Sequence, residues 1–128
     1  MKIKLNSVFV DDQEKALTFY TEVLGFTKKQ DIPMGEASFL TVVSRQEPDG
    51  TELLLEPNGN PAAKAYQAAI FEQGIAATAF QVDDIQSEYD RLTKQGVVFT
   101  MEPTQAGPTT LAVFNDTCGN LIQFYQLQ

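Results

Sequence analysis

Histidine and tryptophan are absent from this chain, and cysteine occurs once, at Cys118. The missing histidine removes the commonest metal ligand and the commonest general base. A lone cysteine excludes an internal disulfide and a thiolate zinc cluster. As a nucleophile it would have no histidine to activate it. Basic residues are scarce too: 9 Lys and Arg stand against 17 Asp and Glu, for a net charge of −8 and a pI near 4.3. Nucleic-acid binding depends on neutralising phosphates with Lys and Arg, so it is not expected. The negative field favours cationic ligands, although solubility alone also accounts for it. No window approaches 18 consecutive apolar residues, so no membrane span is expected. The opening Met1-Lys-Ile-Lys-Leu-Asn6 lacks the long apolar stretch of a signal peptide. These absences lead to the expectation of a cytoplasmic protein without nucleic-acid or membrane partners.

What is present is an ordinary globular composition, 43% hydrophobic and 20% charged over 128 residues. That length fits a single domain, residues 1–128, with enough chain to bury a core. A repeat organises it. Val10-Asp-Asp12 opens a stretch that runs through Phe19-Tyr20 to Leu24-Gly-Phe26, and Val82-Asp-Asp84 opens a weaker copy that ends at Gly96. Val10 and Val82 stand 72 positions apart, and Gly25 and Gly96 stand 71 apart.

Each copy reads as β-α-β-β-β. In the first half, residues 1–57, Ile3 to Val10 alternates as a strand. Asp11 is placed to cap a helix, with Glu14 three residues on. Ala16, Leu17, Phe19, Tyr20, Val23 and Leu24 form its apolar face, and Gly25 ends it. Strands follow over Phe26 to Ile32, Ser38 to Ser44 and Thr51 to Glu56. Residues 58–74 read as a connecting helix, with Asn60 as cap, Pro61 in the first turn and Gly74 at the close. In the second half, residues 75–128, Ile75 to Val82 is a strand. Asp83 caps the next helix, with Gln86 three on. Val97 to Met101, Thr109 to Phe114 and Asn120 to Leu127 complete the set, with Pro103 to Pro108 and Asn115 to Gly119 as turns. The acid pairs at 11–12 and 83–84 are explained by capping and the helix dipole, without a catalytic dyad.

The halves, with Val10-Asp-Asp12, Ala16, Phe19-Tyr20 and Leu24-Gly-Phe26 in one and Val82-Asp-Asp84, Gly96 and Asp116-Thr-Cys-Gly-Asn120 in the other, resemble the vicinal oxygen chelate superfamily. That group includes glyoxalase I, bleomycin resistance proteins and extradiol dioxygenases, and the resemblance covers essentially the whole chain. It implies an α+β fold of paired βαβββ modules, whose strands curl into a cup-shaped mixed sheet with the helices outside. It also implies a homodimer, since small relatives pair or swap halves to complete two cups.

Metal enzymes of the family carry one ligand on the first strand and one on the last strand of each half. By the resemblance those positions are Leu5 and Ala77, and Leu53 (or, one residue earlier, Glu52) and Gln123. Zinc and transition metals need about three or four N, S or O donors. Leu5, Leu53 and Ala77 offer none, and Gln123 is a weak neutral donor. The expectation is therefore no metal and no cofactor, without the Lewis acid and activated water that a metal supplies. Alternation places Leu5, Ser7 and Phe9, then Ala77, Ala79 and Gln81, then Leu121, Gln123 and Tyr125 on the cup face. Phe9 and Tyr125 can stack on a planar ligand. Gln81 and Gln123 can orient it through amide hydrogen bonds, and Ser7 adds a hydroxyl. The same side chains can equally fill a closed core.

The leading expectation is a metal-free small-molecule-binding protein, sequestering a cationic aromatic compound as in antibiotic resistance. Two alternatives stay open. One is a glyoxalase-like lyase or dioxygenase with a non-standard or partner-supplied metal site. The other is a structural or interaction module with a filled cavity.

Overall fold

The computed structural model describes residues 1–128. The elements follow the expected order: β1 (Leu5–Val10), α1 (Gln13–Thr18), β2 (Thr27–Met34), β3 (Ala37–Val43), β4 (Glu52–Pro57), α2 (Pro61–Glu72), β5 (Thr78–Gln81), α3 (Ile85–Lys94), β6 (Phe99–Ala106), β7 (Thr109–Asn115) and β8 (Leu121–Leu127). α1 continues into a π-helical turn over Phe19–Val23. The chain forms two compact units, Met1–Ala65 and Tyr66–Gln128, with the boundary inside α2. Each holds one curled four-stranded mixed sheet, ordered β1-β4-β3-β2 in the first and β5-β8-β7-β6 in the second. In each, the first strand runs parallel to the last and the other pairings are antiparallel. The fold is α+β, made of two βαβββ modules, as the repeat implies.

In the first unit Asp12, not Asp11, caps α1. Its side chain accepts from the Lys15 N–H at 3.1 Å, and its carbonyl accepts from the Ala16 N–H at 2.9 Å. The second unit repeats the shift: Asp84, not Asp83, accepts from the Ser87 N–H at 3.1 Å. The cap is the residue whose carbonyl closes the first helical turn, and either member of an acid pair has the right chemistry. Gln13 then clamps α1 to the sheet. Its Nε2 donates to the carbonyls of Ser38 and Leu55, both at 2.8 Å, and its Oε1 accepts from the Ser38 N–H at 3.0 Å. Val8, Val10, Ala16, Phe19, Tyr20, Leu40, Val42 and Leu55 form the core of this unit. Tyr20 stacks on Phe26 at 6.4 Å and meets the edge of Phe19 at 5.8 Å. Gly25, at φ +94°, ends the helix in the left-handed region.

In the second unit the core is aromatic. Phe99 contacts Tyr89 of α3 at 4.6 Å, and Phe99, Phe114 and Phe124 lie 5.6 Å from one another. The segment 103–108 is not a turn throughout: β6 runs on to Ala106, and only Gly107-Pro108 turns. The register of β6 on β7 slips between Met101 and Thr104, around Pro103. This is an edge strand with an irregular register, where a residue without an N–H is tolerated.

A buried polar knot closes the β7–β8 connection. Asp116 Oδ1 accepts from the Cys118 N–H at 2.7 Å and the Asn120 N–H at 3.0 Å, and its Oδ2 accepts from Asn120 Nδ2 at 2.8 Å. Gln67 of α2 donates to Asn120 Oδ1 at 3.1 Å and to the Cys118 carbonyl at 3.2 Å. Asp116, Cys118, Asn120 and Gln67 are all buried.

Candidate functional site

Register decides which side chains share a face. In the second unit Phe124 pairs with Phe80 and lies in the aromatic core against α3, so Ala79, Gln81, Gln123 and Tyr125 turn to the helix-free face. Gln123 sits opposite Ala79, and Tyr125 opposite Gln81. On the other side of β8, Val113 lies opposite Gln123 and Leu111 opposite Tyr125. The expected grouping of Ala77, Ala79, Gln81, Leu121, Gln123 and Tyr125 is therefore the arrangement found. Ala77, Ala79 and Gln81 are exposed, Gln123 and Tyr125 are half-buried, and Leu121 is buried. The Gln81 and Gln123 amides and the Tyr125 hydroxyl make no hydrogen bond within the chain.

In the first unit Val8 and Leu55 are opposite each other and buried, so Leu5, Ser7 and Phe9 turn to the helix-free face with Glu52, Leu54 and Glu56. Leu53 falls on the other side, opposite Asn6. Ser7 pairs with Leu54 as Ala79 pairs with Gln123, so Leu54, not Leu53, is the counterpart of Gln123. A shift of one residue reverses every side chain along a strand. Ser7 is exposed, Phe9 is half-buried and Leu5 is 46% exposed.

This face also carries a constellation that residue patterns did not reveal. Glu52 Oε1 accepts from Gln30 Nε2 at 2.6 Å and from the Thr41 hydroxyl at 2.7 Å. The Thr41 oxygen in turn accepts from the Gln30 N–H at 3.1 Å. A register shift between Lys28 and Gln30 accompanies this arrangement. Hydrogen bonds from Gln30 first and Thr41 second hold the Glu52 carboxyl below its ordinary range, against a smaller opposing effect of burial. Lys4 and Lys29 add weaker attraction from a distance. Neither pairs with Glu52. Lys4 donates to the Asp49 carbonyl at 2.6 Å, and Lys29 to the Pro48 carbonyl at 2.9 Å.

The donor set does not fit a metal ion. The expected positions hold Leu5 and Leu54 in the first unit and Ala77 and Gln123 in the second, which supply one neutral oxygen, and Glu52, opposite Leu5, adds a single carboxylate already held by Gln30 and Thr41. No three His, Cys, Asp or Glu side chains gather where they could hold an ion. Cys118 is fully buried inside the polar knot. No helix is long and apolar enough to cross a membrane.

Two βαβββ units, each a curled four-stranded mixed sheet with its first strand parallel to its last, define the class of fold. The chain belongs to the glyoxalase/bleomycin resistance protein/dioxygenase superfamily, whose model matches residues 2–124. The uncharacterized protein YurT of Bacillus subtilis (strain 168) is 61% identical over 126 residues, covering 98% of this chain and 99% of that one. Among solved structures, UcmS2 superposes with a TM-score of 0.84 at 32% identity, covering 98% of this chain and 97% of that one. TnmS3, an antibiotic-binding protein from Streptomyces sp. CB03234, gives a TM-score of 0.77 at 27% identity, covering 100% and 97%.

Proposed function

We propose that this protein binds a small organic molecule without a metal, and that it sequesters a cationic aromatic compound unchanged. The observation that carries this reading is the chemistry of the helix-free faces. Phe9 and Tyr125 offer rings, Ser7, Gln81 and Gln123 offer uncommitted hydrogen-bonding groups, and the family's ligand positions offer hydrocarbon and one amide. Apolar walls with a few polar groups are what small-molecule sites are made of. The likeness to an antibiotic-binding protein supports the same reading, and the net charge of −8 favours a cation. On this reading the protein acts in the cytoplasm as a homodimer.

The test is a thermal-shift screen of cationic aromatic compounds, run beside elemental analysis of the purified protein. A ligand in large excess over its Kd raises the melting temperature, because it binds only the folded chain. The reading expects such shifts and expects metal far below one equivalent. A tightly held stoichiometric metal, or no shift across the screen, overturns it. In the first case a lyase or dioxygenase with a displaced site takes its place.

A further inference from the structure

Resting on the small-molecule reading above, we infer that Glu52 is the residue that reads the ligand's positive charge, with the aromatic body lying along β1 toward Phe9. Glu52 is half-buried on the helix-free face of the first unit, with Leu5 opposite it on β1 and Val43 opposite it on β3. Two donors fix one of its oxygens, so the carboxylate is oriented before any ligand arrives. The other oxygen has no donor within the chain, and no lysine or arginine pairs with it. A fixed carboxylate with one committed and one uncommitted oxygen is pre-organised for a cationic donor, an ammonium, amidinium or protonated ring nitrogen, because a hydrogen bond between opposite charges is stronger than the one a neutral N–H makes.

The surroundings suit the rest of such a ligand. Leu5 lies directly opposite Glu52 and is 46% exposed, a large apolar side chain left uncovered. Ser7 and Leu54 continue the face, and Phe9 closes it. From Leu5 to Phe9 is four residues of strand, roughly 13 Å, which spans a fused three-ring aromatic. Glu56 lies opposite Phe9 at the far end, but no hydrogen bond holds its side chain. It therefore has to be ordered by the ligand, whereas Glu52 does not. Leu121, at the corresponding place in the second unit, carries no charge.

The experiment uses 9-aminoacridine, a cation at neutral pH, and acridone, a neutral compound with the same three-ring outline. Affinities for the full-length chain are measured at low salt by fluorescence titration, with wild type, Glu52→Gln, Glu56→Gln and Phe9→Ala. Wild type should bind 9-aminoacridine about tenfold more tightly than acridone. Glu52→Gln should abolish that margin and leave acridone unchanged, Glu56→Gln should keep it, and Phe9→Ala should weaken both probes. If Glu52→Gln keeps the margin, or Glu56→Gln loses it instead, the charge-reading assignment falls while the small-molecule reading stands. If wild type binds neither probe, the charge-reading assignment falls, and the small-molecule reading falls with it only when the wider thermal-shift screen also gives no shift. Carbodiimide labelling of the wild type, read by mass spectrometry, is independent of any variant's folding. 9-Aminoacridine should protect Glu52 and acridone should not; equal labelling in both cases overturns the assignment.

Discussion

Glu52 ties acid stability to a single side chain, because its carboxylate is held by two neutral donors rather than by a counter-ion. Its folded-state pKa lies below the ordinary 4.5. The unfolded chain therefore takes up this proton more readily than the folded chain, and stability rises with pH across that interval. The contribution is whole above about 4.5 and is lost as pH falls through the lower folded-state value. Glu52→Gln should leave a shallower acid limb when urea midpoints are followed between about pH 3 and pH 6. At neutral pH the variant should lose on the order of 1 kcal/mol, since charge-assisted hydrogen bonds are stronger than neutral ones. An acid limb as steep as the wild type's would mean that the two donors do not hold the charge. Gly119 is the second sensitive residue. It sits at φ +100°, and a Cβ there would come within 2.7 Å of Gln67 Nε2. Left-handed backbone alone costs a residue with a Cβ roughly 1–2 kcal/mol. Gly119→Ala should exceed that in chemical denaturation, because Gln67 must also leave its hydrogen bonds to Asn120 and Cys118.

At the scale of elements, caps and clamps decide how each helix meets its sheet. Asp12→Ala should destabilise the chain by about 1 kcal/mol. Asp11→Ala should cost less, because its side chain makes only an exposed ion pair with Lys15. A larger effect at Asp11 in thermal melts would contradict the cap geometry. This pair also shows where sequence patterns stop being informative. Alternation, Gly25, Gly74 and Gly96 are enough to locate each strand and helix to within a few residues, the far end of β6 excepted, because each carries its own local signal. Which aspartate caps depends on where the first turn closes, and Asp11 and Asp12 have identical chemistry. Register is less accessible still. Whether Glu52, Leu53 or Leu54 faces Ser7 is settled by pairing strands separated by more than 40 residues, and three consecutive leucines show no alternation to read. The Glu52–Thr41–Gln30 constellation depends on that register and on the slip in β2, so neither hydrophobic period nor motif could announce it. The second unit's face was legible because Gln123 and Tyr125 alternate with the apolar Ile122 and Phe124.

At the scale of the molecule, duplication has kept one backbone plan while the two helix-free faces have diverged. Where β4 presents Glu52, Leu54 and Glu56, β8 presents Leu121, Gln123 and Tyr125 in the same register order. The first face is therefore anionic and the second neutral, although the net charge of −8 belongs to the whole chain. That charge gives two opposite responses to salt. Excess negative charge repels itself in the compact state, and raising ionic strength from about 0.01 to 0.15 M shortens the screening length from about 30 to 8 Å. The melting temperature of the free protein should therefore rise over that range. The same screening weakens attraction for a cation, so the added stabilisation from 9-aminoacridine should shrink as salt rises, while any stabilisation from acridone should stay level. Differential scanning fluorimetry across a salt series with each probe separates the two effects in one experiment. A cation shift that survives salt undiminished would place the recognition in the ring of Phe9 rather than in charge. The first unit's carboxylates would then be left as ordinary solvated side chains.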